Sequence, residues 1–139
     1  SSIAFISAMK QAGADARLTE LDGADHFAVP EKAYLGDYGL VDWLQEIFPQ
    51  TPVFIQTMPP VTKTVATENV LMTNARIRKV NGMLAKLSQE KHCYFLDLYH
   101  ALCDEEGNLP YGIAREDGIH LKEAGTKRWI RYLTEHVPQ

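Results

Sequence analysis

The constraint that most limits this chain is a pair of short, almost wholly apolar runs joined by one long amphipathic segment. The first run is Pro52-Val53-Phe54-Ile55-Gln56-Thr57, closed by Pro59-Pro60. Its β-branched and aromatic residues favour an extended strand, and the prolines end it. The second is Cys93-Tyr94-Phe95-Leu96-Asp97-Leu98, whose near-continuous apolarity suits a strand covered on both faces. Between them, residues 67–91 carry Leu71, Ile77, Val80, Leu84 and Leu87 at spacings of three and four, which predicts a helix. Thr67 is the expected N-cap, with Glu68 in the first turn where the helix dipole favours a carboxylate. A helix between two such strands makes them parallel neighbours of one sheet, joined by a crossover.

The flanking sequence continues the alternation. Residues 16–21 (Ala-Arg-Leu-Thr-Glu-Leu) alternate apolar and polar and read as a weaker, edge-type strand. Gly13 before them suits the C-cap of an opening helix that starts at Ile3. Residues 34–48 predict a helix with Leu40, Val41, Leu44, Ile47 and Phe48 on one side, ended by Pro49. A last helix over 122–136 is expected to bury Trp129, Ile130 and Leu133. Strands alternating with helices imply an α/β fold with a parallel sheet, and 139 residues suit a single domain.

Composition narrows the function classes. Hydrophobic residues make up 45% and charged residues 23%, ordinary values for a water-soluble domain. A net charge of −4 argues against a nucleic-acid partner, which calls for a clustered basic face. Lys122, Lys127, Arg128 and Arg131 do cluster, but Glu123 and Glu135 interrupt them, so a solvated helix face is expected. No apolar run approaches the roughly 18–20 residues of a membrane-spanning helix, so no membrane partner is expected. The start, Ser1-Ser2-Ile3-Ala4-Phe5-Ile6, has no initiating Met and no signal-peptide pattern, and reads as processed, truncated or engineered. Cys93 and Cys103 are too few for a disulfide framework and match no common zinc spacing, and Cys93 is expected as a small buried residue. These observations leave the compartment undetermined, with a reducing cytoplasm favoured.

Chemistry concentrates in Asp117-Gly118-Ile119-His120-Leu121, which leads into a tryptophan-bearing helix. An Asp and a His three apart on one turn can hydrogen-bond. The carboxylate then holds one imidazole nitrogen protonated, leaving the other free to take a proton from a nucleophile. Taken by itself, Asp-x-x-His is equally a capping Asp beside a surface His.

The order of elements adds to this. Phe48-Pro49, the strand to Thr57, Pro59-Pro60, a helix carrying Asn74 and Asn81, the strand ending at Asp97, Gly107-Asn108-Leu109-Pro110 and Asp117-Gly118-Ile119-His120-Leu121 follow one another. Over roughly residues 47–137 this resembles the C-terminal half of the SGNH (GDSL-type) hydrolases. The resemblance implies a three-layer α/β/α sandwich of flavodoxin-like type with a parallel sheet, incomplete at its N-terminal side. It implies His120 as general base, Asp117 as the group that orients it, and Asp97 as a structural carboxylate. Asn74 and Asn81, seven apart on one helix face, are expected to bond loop backbone.

The N-terminal third departs from that pattern. The family's Gly-Asp-Ser turn, which carries the nucleophile, is absent from these 139 residues. Gly36-Asp37-Tyr38 is its nearest lookalike and has no hydroxyl suited to attack on an exposed turn. Ser1, Ser2, Ser7 and Ser88 read as terminal or helical serines. The family's oxyanion donors, a Gly amide and an Asn, have Gly23 and Asp25 as their counterparts, and a carboxylate at 25 would repel the developing charge. A rival reading of residues 12–27 makes His26 the base of an α/β-hydrolase-type loop; the alternative is a loop His without a role.

The expectation is therefore a serine ester hydrolase, an acylhydrolase or carbohydrate O-deacetylase whose Ser lies outside this chain, acting on a small ester such as an acetylated carbohydrate. A non-catalytic remnant or interaction module, or a chimera of hydrolase fragments, is the alternative. No metal or cofactor is expected, since serine ester hydrolysis needs neither. The absence of the family's first strands implies that something covers the sheet edge: a second chain, self-association, or residues outside this sequence.

Overall fold

A computed structural model describes residues 39–138. The elements are α1 (Leu40–Ile47), β1 (Phe54–Gln56), α2 (Lys63–Glu68), α3 (Asn74–Glu90), β2 (Tyr94–Leu96), α4 (Leu98–Leu102) and α5 (Glu123–His136). β1 and β2 pair in parallel, with Phe54 opposite Tyr94, Ile55 opposite Phe95 and Gln56 opposite Leu96. The expected parallel pair is present, and α3 is the principal helix of the connection between its strands.

Period-two alternation of side chains puts the two faces of β1 against different layers. Ile55 packs with Val41 of α1 and Val80, Leu84 and Leu87 of α3. Gln56, on the opposite face, accepts a hydrogen bond from the Trp129 indole of α5 at 3.0 Å. A second apolar cluster, Leu98, Leu102, Leu109 and Ala114, receives Trp129 and Tyr132. Helices thus flank the parallel pair on both sides, an α/β fold. No helix among the described residues is long and apolar enough to cross a membrane.

Several expected boundaries are corrected. Residues 67–91 are not one helix. Thr67 lies near the end of α2, where its hydroxyl donates to the Lys63 carbonyl at 2.8 Å. The Asn69 carboxamide then accepts the N–H groups of Leu71 and Met72, both at 2.9 Å, a side-chain turn that competes with helix continuation. α3 starts afresh at Thr73, whose hydroxyl accepts the Arg76 N–H. Leu71 is left exposed in the break.

The second strand ends at Leu96 because Asp97 caps α4, accepting the His100 N–H at 3.2 Å. Tyr94 and Phe95 are exposed, so this run is not covered on both faces as its apolarity suggested. In α5 the packing stripe is Gly125, Trp129 and Tyr132; Ile130 is exposed and Leu133 half-buried. Phe48, the C-cap of α1, is half exposed instead of joining that helix's apolar side. Cys93 is only partly buried, against the Ile55 cluster. The readings made for residues 1–38, including the edge strand and its helix, lie outside the described residues.

Asn74 and Asn81 behave as their spacing implies. Asn74 accepts the Val61 N–H and donates to the Val61 carbonyl, both at 2.9 Å. Asn81 does the same for Met58, at 2.8 and 2.9 Å. Two buried carboxamides on α3 thereby act as surrogate strand partners for residues 58–61, the segment leaving β1. Ser88 is likewise structural: it is buried, and its hydroxyl donates to the Cys93 carbonyl.

Candidate active site

The segment after α4 folds back on itself. Ala114 and Leu121 form an antiparallel bridge, with the Arg115 N–H donating to the His120 carbonyl and the Lys122 N–H to the Ile113 carbonyl, each at 2.8 Å. Between them the chain turns at Gly118, whose φ of 70° is left-handed and open to glycine without penalty. Space demands glycine as well, since a Cβ there would lie 2.3 Å from the Thr62 hydroxyl oxygen. The Thr62 N–H in turn donates to the Gly118 carbonyl at 2.9 Å, tying the turn to the N-terminus of α2. Gly125 allows a second close approach, since a Cβ there would lie 2.9 Å from the Ile113 carbonyl oxygen.

This turn brings Asp117 and His120 together. One Asp117 oxygen, Oδ1, accepts the N–H groups of Ile119 and His120, both at 2.9 Å. The other, Oδ2, lies 2.5 Å from His120 Nδ1. The two backbone donors, followed by the imidazole bond, hold the Asp117 carboxyl down to a pKa of about 2. Asp117 is therefore ionised at neutral pH and has no proton to give, so the hydrogen of the contact sits on Nδ1. In a neutral imidazole that arrangement places the lone pair on Nε2, and the His120 side chain is largely open to solvent.

His120 borders a cavity of about 420 Å³ shared with Gln56, Pro59, Leu98, Arg115 and Trp129. Gln56 ends β1, and Leu98 follows shortly after β2, so this cavity opens at the C-terminal ends of the parallel strands. That is where open α/β folds place their sites. The structure thus brings together Asp117, His120 and the end of the sheet. Gly23, Asp25, His26 and Ser7 lie outside the described residues. The basic residues of α5 form a solvated face, with Lys127 paired to Glu123 at 2.6 Å.

A second Asp-x-x-His turn is present one element earlier. Asp97 Oδ2 lies 2.7 Å from His100 Nδ1, and this pair borders a smaller cavity of about 230 Å³ with Arg78 and Asn81. Its spacing was readable in the sequence, but nothing nearby distinguished His100 from a helix-surface residue. Arg115 carried no sequence signal either, as its place beside His120 depends on the bridge. Among the described residues no group of three or more His, Cys, Asp or Glu side chains could hold a metal ion.

Comparison with known proteins bears on this geometry. A profile of the GDSL-like Lipase/Acylhydrolase family matches residues 11–128. No curated protein matches. A solved structure described as a platelet activating factor from Streptococcus pneumonia superposes with a TM-score of 0.68 at 19% identity, over 78% of this chain and 52% of that one. The chain therefore spans about half the length of that structure, and at this identity the likeness concerns the fold.

Proposed function

The chain belongs to the GDSL-like lipase/acylhydrolase family, and from that premise we propose that it supplies the acid–base half of a serine ester hydrolase. The observation that carries this reading is the 2.5 Å contact between His120 Nδ1 and an ionised Asp117, at the mouth of a cavity beyond the strand ends. In the proposed reaction a serine hydroxyl attacks the ester carbonyl while His120 Nε2 takes its proton. Asp117 stabilises the resulting imidazolium, which then protonates the departing alcohol. Water, deprotonated by the same nitrogen, releases the acyl group and restores the serine. No Gly-Asp-Ser stands in these 139 residues, so the nucleophile is assigned to a segment outside them. The proposed substrates are small O-acyl esters, including acetylated carbohydrates. Gly23 remains the proposed amide donor to the oxyanion, with Asp25 a poor substitute for a carboxamide donor.

That same missing motif favours a second reading, a non-catalytic domain that retains the pair without a nucleophile. Hydrolysis of a short-chain aryl acetate separates the two. The 139-residue chain, shown to be folded by circular dichroism, is expected to turn over at the rate of buffer. The product of the whole reading frame is expected to be active and to lose at least roughly 10³-fold in kcat with His120→Ala. Turnover of the short chain that vanishes in His120→Ala would reveal a nucleophile within it, and an inactive whole product would favour the non-catalytic reading.

A further inference from the structure

Arg115 is tied to the catalytic turn at three points. Its N–H donates to the His120 carbonyl at 2.8 Å, its carbonyl accepts the Gly118 N–H at 2.9 Å, and its Nε donates to the Leu121 carbonyl at 3.2 Å. The guanidinium is thus held beside His120 by backbone and side chain together. Among the described residues it forms no ion pair: Asp117 is taken up by His120 and two backbone donors, and the neighbouring Glu116 makes no salt bridge with it. Lys63 and Lys91, by contrast, each reach a carboxylate, on Glu106 and Asp42, and the Arg78 guanidinium donates to the Tyr99 hydroxyl. Arg115 also borders two cavities, the one shared with His120 and Trp129, which has no carboxylate in its wall, and a neighbouring one of about 220 Å³ that includes both Lys122 and Glu116. Otherwise the first cavity is walled mainly by Pro59, Leu98, Ile119, Leu121 and Trp129, and the Trp129 N–H is already used by Gln56. An anchored, unpaired guanidinium fork at an apolar cavity is the arrangement that recognises an oxyanion.

We propose that Arg115 sets the substrate class of this site by receiving an oxyanionic group, carboxylate or phosphate, carried on the ester. Its effect on turnover rests on the ester-hydrolase reading above, whereas anion binding does not, and the tests separate the two.

The first test titrates the 139-residue chain with methyl phosphate or acetate and follows the Trp129 indole N–H by NMR, with Trp43 on α1 as internal reference. A saturable shift of Trp129 is expected with at least one anion, weakened at least about tenfold in Arg115→Met and partly kept in Arg115→Lys. Uncharged trimethyl phosphate should leave Trp129 in place. No shift with either anion, an equal shift in Arg115→Met, or an equal response to trimethyl phosphate would overturn the proposal. The second test compares an aryl hemisuccinate with the neutral aryl pentanoate, using the whole gene product. Arg115→Met is expected to lower the kcat/KM ratio of the charged to the neutral ester about tenfold. Hydrolysis without Arg115-dependent discrimination would overturn this proposal alone. Arg115-dependent anion binding without any hydrolysis would leave it standing and remove the ester-hydrolase reading.

Discussion

The described residues contain the same four-residue device twice. Asp97 and Asp117 each accept the backbone N–H three residues on, and each meets Nδ1 of that residue's imidazole, at 2.7 and 2.5 Å. Both histidines are about equally exposed, at 71% and 73% of the side chain. Their settings differ. Asp97 caps α4, and its next residue, Leu98, is helical and buried in the core. Asp117 is followed by Gly118 in a left-handed turn pressed against Thr62, and its imidazole stands beside the cavity at the strand ends. The hydrogen bond is thus a product of local spacing that helix capping alone can generate. Both imidazoles border a cavity, of about 230 Å³ at His100 and about 420 Å³ at His120. What separates the pairs is the turn that holds each one and the apolar wall beside His120, and the acid–base role proposed for His120 rests on that setting.

Substituting the two imidazoles should split them most widely. In the whole gene product His120→Ala is expected to cost at least roughly 10³-fold in kcat, and His100→Ala less than about threefold. Comparable losses would mean that the second pair also takes part in chemistry. Asp117→Asn comes next, with a loss on the order of 10²–10⁴ because the carboxamide no longer fixes the tautomer or stabilises the imidazolium. Asp97→Asn should instead appear in thermal unfolding, as a small loss within the roughly 1 kcal/mol associated with a cap, and leave kcat unchanged.

Gly118→Ala tests the turn itself. The strained φ and the clash with Thr62 and Val65 predict a destabilisation of about 1–3 kcal/mol in chemical denaturation, with a drop in kcat as Asp117 and His120 separate. A variant of unchanged stability and activity would show that the turn tolerates a side chain and that the pair does not depend on it.

The smallest effect is in titration. Asp117 is depressed from its ordinary 3.8 to about 2, so its charged form favours the folded state. That contribution is fully present above the unfolded value near 4 and is lost as pH falls through about 2. The carboxyl carbon of Asp117, followed by NMR, should titrate near 2. A midpoint near 4 would mean that the two backbone donors and the imidazole do not hold the charge.

Much of this was legible from periodicity. The apolar runs at 52–57 and 93–98 fixed a parallel pair, and Asn74 and Asn81 were correctly read as backbone ligands from their spacing alone. Asp117 and His120 were legible because both ends of their bond lie within four residues. The break between α2 and α3 was not, since Leu71 continues the helical spacing while the Asn69 side chain captures two N–H groups locally. Nor was the exposure of Ile130, because adjacent residues in a helix point about 100° apart and only the partner surface decides which of them packs. Arg115 was hidden for a related reason: its relation to His120 is made by the Ala114–Leu121 bridge, a pairing that depends on the Gly118 turn.

The central claim is that His120 activates a serine carried outside these residues. Fluorophosphonate modification of the whole gene product, followed by peptide mapping, tests it directly, because the probe reacts preferentially with an activated serine hydroxyl and the mapping identifies the residue modified. The account predicts a single labelled serine beyond the 139 residues, with labelling slowed at least roughly 10³-fold by His120→Ala and little changed by His100→Ala. Labelling at Ser7 or Ser88, labelling indifferent to His120→Ala, or no labelling of a folded and complete product would contradict it.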